Sequence, residues 1–86
     1  MKNPVLEADT HSYSQALKDL QQALSEAPEE FRKLALNFCN LRPEVLSFES
    51  RTTTIGARLV IHLEPSKRFL DFLAAIRAGN LNGLTI

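Results

Sequence analysis

From Ile55 to Leu63 the chain alternates. Ile55, Ala57, Leu59, Ile61 and Leu63 fall on one side of a period-two pattern, and Gly56, Arg58, Val60, His62 and Glu64 on the other. Alternation with β-branched residues predicts a strand that buries one face. The period then changes. Phe69, Phe72, Leu73 and Ile76 recur at helical spacing, and Leu70 widens the stripe. Pro65 or Ser66 suits the start of this helix, and Gly79 suits a left-handed residue at its end. A strand therefore feeds a core-facing helix through two or three residues. Leu59, Ile61, Phe69, Leu73 and Ile76 are the expected core.

Upstream, Tyr13, Ala16, Leu17, Leu20 and Leu24 share one face of a helix from about Ser12 to Ala27, with Thr10 or Ser12 as its cap. Pro28-Glu29-Glu30 reads as a break and restart, with the acids at the positive end of a helix dipole. Phe31, Leu34, Ala35 and Phe38 carry an apolar face on to about Asn40, in a second helix or in one helix kinked at Pro28. Leu41-Arg42-Pro43 ends it. Val45 to Thr54 reads as a strand, and Arg51 to Gly56 as the turn of a hairpin.

Residues 1–10 read as a flexible N-terminal segment in which Val5 and Leu6 offer a short edge strand. Residues 11–86 read as a single α+β domain that ends in an apolar segment able to pair as a last strand. The order is (β)-α-α-β-β-α-(β), with helices packed on one face of a small antiparallel sheet. With both bracketed strands in place this is a ferredoxin-like split βαβ. With neither, the helices cover a two-stranded hairpin, which is marginal without such cover.

At 86 residues, 44% hydrophobic and 23% charged, the composition is that of a small folded domain, not a disordered chain. No apolar run is long enough to span a membrane, and the first residues lack the apolar core of a signal peptide. The single cysteine, Cys39, has no internal partner, so a reducing cytoplasm is the expected location. Net charge is zero but uneven. Residues 1–30 carry two cations against six anions, and residues 31–86 carry eight cations against four anions. Such asymmetry suits an oppositely charged partner or a second copy, or internal neutralisation.

Catalytic and metal signatures are missing. His11, His62 and Cys39 are not at metal-ligand spacing, so no metal or cofactor is expected. Cys39, His62 and Asp71 could be assembled into a nucleophile, base and orienter only without support from any local motif, so no enzyme and no small-molecule substrate are expected. Thr52-Thr53-Thr54 before Gly56 lacks the glycines and lysine of a phosphate loop. The alternative function is a small nucleic-acid-binding regulator using the basic hairpin and last helix, with Phe69 and Phe72 available for stacking. Zero net charge and a pI near 6.7 argue against it, and both aromatics belong to the core stripe.

Ala57-Arg-Leu-Val-Ile-His-Leu63, then Phe69-Leu-x-Phe72 and Arg77-Ala-Gly79-Asn-Leu81, form a strand-then-helix unit. It resembles effector-associated adaptor domains of bacterial signalling and conflict proteins. It is also similar to the N-terminal domain of the tumour-necrosis-factor-receptor-associated death-domain adaptor. The Gly-Ser usual before the strand is Gly56-Ala57 here. The resemblance spans residues 55–81 and implies a non-enzymatic protein–protein interaction domain, acting by homotypic or heterotypic association. The candidate contact residues are the cations Arg58, Lys67, Arg68 and Arg77, with Glu26, Glu29 and Glu30 as the complementary patch.

Overall fold

The computed structural model describes residues 5–82 and residue 84. The elements run β1 (Val5–Asp9), α1 (His11–Glu26), α2 (Glu29–Leu41), a short 3-10 helix (Pro43–Leu46), β2 (Phe48–Ile55), β3 (Arg58–Pro65) and α3 (Lys67–Ala78). The order is β-α-α-β-β-α, an α+β fold.

β3 is the central strand, in the order β1-β3-β2. β2 and β3 form an antiparallel hairpin in which Phe48 faces Pro65 and Ile55 faces Arg58. β1 lies parallel to β3, with Leu6 opposite Leu59 and Asp9 opposite His62. The expected antiparallel sheet is thus corrected to a mixed one. Val5–Asp9 does form a strand, and β3 reaches its side only after the two-helix crossover and the hairpin, which brings β3 in parallel. The strand order is that of a split βαβ, in which the central strand runs antiparallel to both neighbours. Here the two-helix connection sets β2 antiparallel to β1, so β3 runs parallel to β1 and the sheet departs from the ferredoxin-like arrangement. Leu81, Asn82 and Leu84 are not in a strand. The rest of the proposed last strand, at residues 83, 85 and 86, lies outside the described residues.

The hairpin turn is shorter than expected. Only Gly56 and Ala57 lie between the strands, and Gly56 has φ +60°. A glycine with positive φ in the first central position is the requirement of a II′ turn, whose twist matches that of the strands. Thr52, Thr53 and Thr54 therefore belong to β2, where β-branched residues fit. The front of the predicted strand is instead the 3-10 helix, with Pro43 at its start.

α1 and α2 are separate helices, because Ala27 and Pro28 are both extended, with ψ of 147° and 148°. The Arg32 side chain closes this break. Its guanidinium donates to the carbonyls of Leu24 (2.8 Å), Ala27 (3.2 Å) and Ser25 (3.4 Å) at the end of α1, where the Leu24 carbonyl also accepts from the Ala27 amide (3.2 Å). At the start of α1 neither Thr10 nor Ser12 caps; the Asp9 carboxylate accepts from the His11 amide instead (3.0 Å). α3 follows expectation. Ser66 caps it, accepting from the Phe69 amide (3.2 Å), and Gly79 closes it at φ +70°.

The core gathers Ala16, Leu20 and Ala23 of α1, Ala35 of α2, Val45, and Phe69, Phe72, Leu73 and Ile76 of α3. Phe48 enters it from the sheet, with its ring 4.7 Å from Tyr13 and 5.0 Å from Phe69. Phe38 stacks on Phe72 at 5.7 Å. Phe69, Leu73 and Ile76 are buried as expected. Leu59 and Ile61 are only half-buried, and the buried residue of β3 is Val60, on the opposite face.

The physical reason is overall shape. The molecule measures 58 × 24 × 18 Å, with a radius of gyration of 16.4 Å. A compact chain of this length has a radius of gyration of about 12 Å. An eight-residue strand is about 26 Å long and a sixteen-residue helix about 24 Å. The long axis is thus close to one strand and one helix placed end to end. The helices meet the sheet near Phe48 and Pro65, and the hairpin tip runs past them. Leu6 and Ile55 there remain 67% and 60% exposed.

Candidate functional site

Three surfaces present functional groups. The first is the outer flank of α2. This helix buries Ala35 completely and Phe31 and Phe38 in part. Leu34 and Leu41 are seven residues apart, hence on one side of the helix, and are 60% and 71% exposed. Leu34, Phe38 and Leu41 line a shallow groove with Phe31 and with Leu81 from the segment after α3, and Asn37 and Asn82 lie beside them. Two exposed leucines beside half-buried phenylalanines make a continuous apolar strip, which is more informative than a scattered surface leucine.

The second surface is an open groove between the 3-10 helix and α3. Phe38, Val45, Ala74, Ala75 and Ala78 supply its apolar lining, and Arg42, Glu44, Lys67, Arg68 and Asp71 its charges. Glu44 lies 3.7 Å from Arg42 and 3.9 Å from Arg68. Lys67 and Arg68 occupy the first turn of α3, which contains no acid. Cations at that end oppose the helix dipole, and Glu44 offsets them. Glu44 carried no signal in the sequence, because its role depends on the 3-10 helix bringing it beside α3.

The third surface is the face of the sheet that carries Val60. Thr53 Oγ1 lies 2.9 Å from His62 Nε2, and His62 Nδ1 lies 3.0 Å from Asp9 Oδ2. Glu7–Arg58 (3.4 Å) and Arg51–Glu64 (2.9 Å) flank this chain of groups. The Asp9 carboxyl is held below its ordinary value, first by the His11 amide and then by the hydrogen bond from His62. Hydroxyl, imidazole and carboxylate follow the connectivity of a nucleophile relay. Thr53, however, sits in the middle of a flat strand paired to Val60, and neither groove reaches it. A relay of this kind needs donors for an oxyanion and a concave place for substrate. Here the three side chains tie three strands together. Asp9 and His62 are 53 residues apart, so only the register of β1 could have revealed the link.

The charged residues singled out in the sequence do not share one face. Lys67 and Arg68 sit together on the rim of the α3 groove. Arg58 is at the far end of β3, about 23 Å away along an extended strand. Arg77 is in the last turn of α3, about 15 Å along the helix from Lys67. Glu26, Glu29 and Glu30 cluster at the α1–α2 break, where Glu26 accepts from Gln22 and Glu29 pairs with Lys33 at 3.6 Å. Cys39 is half-buried, and desolvation pushes its thiol up from the ordinary value, away from the reactive thiolate. Among the described residues no group of three or more histidine, cysteine or acidic side chains is gathered to hold a metal ion, and no helix is long and apolar enough to cross a membrane. Compared with protein-family models, curated proteins and solved structures, the chain matches none.

Proposed function

We propose that this chain is a protein–protein interaction domain without catalytic activity of its own. The observation that carries the reading is the apolar strip on α2, where Leu34 and Leu41 remain exposed beside Phe31, Phe38 and Leu81. A strip of this kind, bordered by polar residues, fits the apolar surface of another protein. The charged groove at α3 supplies a second, polar contact region in which Lys67 and Arg68 select an acidic partner. The resemblance of residues 55–81 to adaptor domains supports the same reading. Nucleic-acid binding draws less support, because Arg51, Arg58 and Arg68 are each within ion-pair distance of a glutamate.

The test is affinity purification from the native cell with three baits: the natural chain, Leu34→Lys/Leu41→Lys, and Lys67→Glu/Arg68→Glu. All four positions are exposed, so circular dichroism should be unchanged. The expected result is a stoichiometric protein partner held by the natural chain and lost from the leucine variant. An identical set of bound proteins for the natural chain and the folded leucine variant overturns the assignment to α2.

A further inference from the structure

We infer that the chain pairs with a second copy of itself along the outer edge of β2, joining two three-stranded sheets into one of six. This deepens the interaction-domain reading but rests on a different surface from the α2 strip.

β2 is an eight-residue edge strand. Its backbone groups divide by parity. The two-residue turn makes Ile55 and Arg58 a hydrogen-bonded pair, and the alternation then assigns odd-numbered residues of β2 to β3. The bond from the Ser66 amide to the Ser47 carbonyl (3.1 Å) continues that series beyond the strand. Ser50, Thr52 and Thr54 therefore direct N–H and C=O groups outward, and among the described residues no strand lies along that edge.

Edge strands are usually guarded by proline, lysine, a bulge or a covering element. Between Phe48 and Ile55 there is no proline, lysine or glycine, and the register runs without a bulge. The one cation, Arg51, reaches back across the sheet to Glu64 at 2.9 Å. The hairpin tip also runs past the helices, so they do not shield it.

The strand is compatible with its own antiparallel copy. Parity allows a two-fold axis through Thr52, which sets Ser50 against Thr54 of the second copy and Arg51 against Thr53. Hydroxyl pairs face each other, and no like charges do. An axis at Arg51 would oppose two guanidinium groups. An axis at Ser50 would shorten the overlap by running into the 3-10 helix. Zero net charge puts no overall repulsion between copies.

The experiment is amide hydrogen exchange by nuclear magnetic resonance on the full chain at rising concentration, with sedimentation velocity in parallel. The chain should dimerise, and the amides of Ser50, Thr52 and Thr54 should slow as it does. Those of Arg51 and Thr53, bonded to β3, should be slow throughout. Thr52→Lys sets two ammonium groups face to face at the axis and should leave a folded monomer. Thr52→Pro removes one outward N–H and should do the same. The Leu34→Lys/Leu41→Lys variant should dimerise normally, which separates this surface from the α2 strip. A monomer up to millimolar concentration overturns the inference. So does a dimer in which the three outward amides exchange as fast as in the monomer.

Discussion

Arg32 shows how one side chain decides a local structure. Its guanidinium donates to the Leu24 and Ala27 carbonyls at the Ala27-Pro28 break, which an alanine cannot do. Hydrogen bonds from a charged donor are worth about 1.5–3 kcal/mol. Arg32→Ala should therefore lower the unfolding free energy by an amount in that range, read from urea titration, and Arg32→Lys should recover little, because a point charge cannot span three acceptors. Leu73 is buried against the other helices, and Leu73→Ala should remove about 2–5 kcal/mol, enough to unfold much of a domain this small. Asp9 carries a pH dependence of defined sign. Its folded carboxyl is depressed, so its contribution to stability is present above the ordinary carboxyl value, about 3.9, and is lost as pH falls through the folded one. Asp9→Asn should flatten the acid side of the stability profile followed by denaturant midpoint. An unchanged acid limb would show that other carboxylates set it.

At the scale of elements, α3 is the part most legible in the sequence. Its cap, its apolar stripe and its terminal glycine are all local signals, and all three stand in the structure, except that Leu70, expected to widen the stripe, is half exposed. Ser66→Ala should cost about 0.5–2 kcal/mol from the cap alone. It also removes the 2.7 Å contact with Ser47, which ties α3 to the start of β2. Gly79→Ala should destabilise by strain, since φ +70° is costly for a residue with a Cβ even though the space around it is open. What the sequence did not reveal depends on distant chain pieces meeting. The alternation of β3 pointed to Leu59 and Ile61 as core, because period two marks two faces without saying how far a helix layer extends over one of them. Val60 is buried on the other face, amid the side chains of Thr53, His62, Arg58 and Glu7, whose neighbourhood follows from the registers of β1 and β2. The charged residues chosen as a site were likewise picked by charge alone. The strip on α2 was visible only as amphipathic spacing, and that pattern cannot distinguish a face that is buried from one left open.

On the scale of the whole molecule, length along one axis sets the chemistry available. Sheet and helices lie nearly end to end, so among the described residues the outer edge of β2, the hairpin tip and the α2 flank are left without cover. Apolar burial is the main favourable term in folding and in association alike. On the reading proposed above, the α2 flank completes its burial against another protein. The most direct measurement is site-specific photo-crosslinking in the native cell, with the reactive group placed in turn at Leu34, Leu41 and, as a control, Gln21 on the exposed side of α1. A discrete protein adduct is expected from positions 34 and 41 and none from 21. Absence of any adduct from the α2 positions in a folded, normally expressed chain would contradict it.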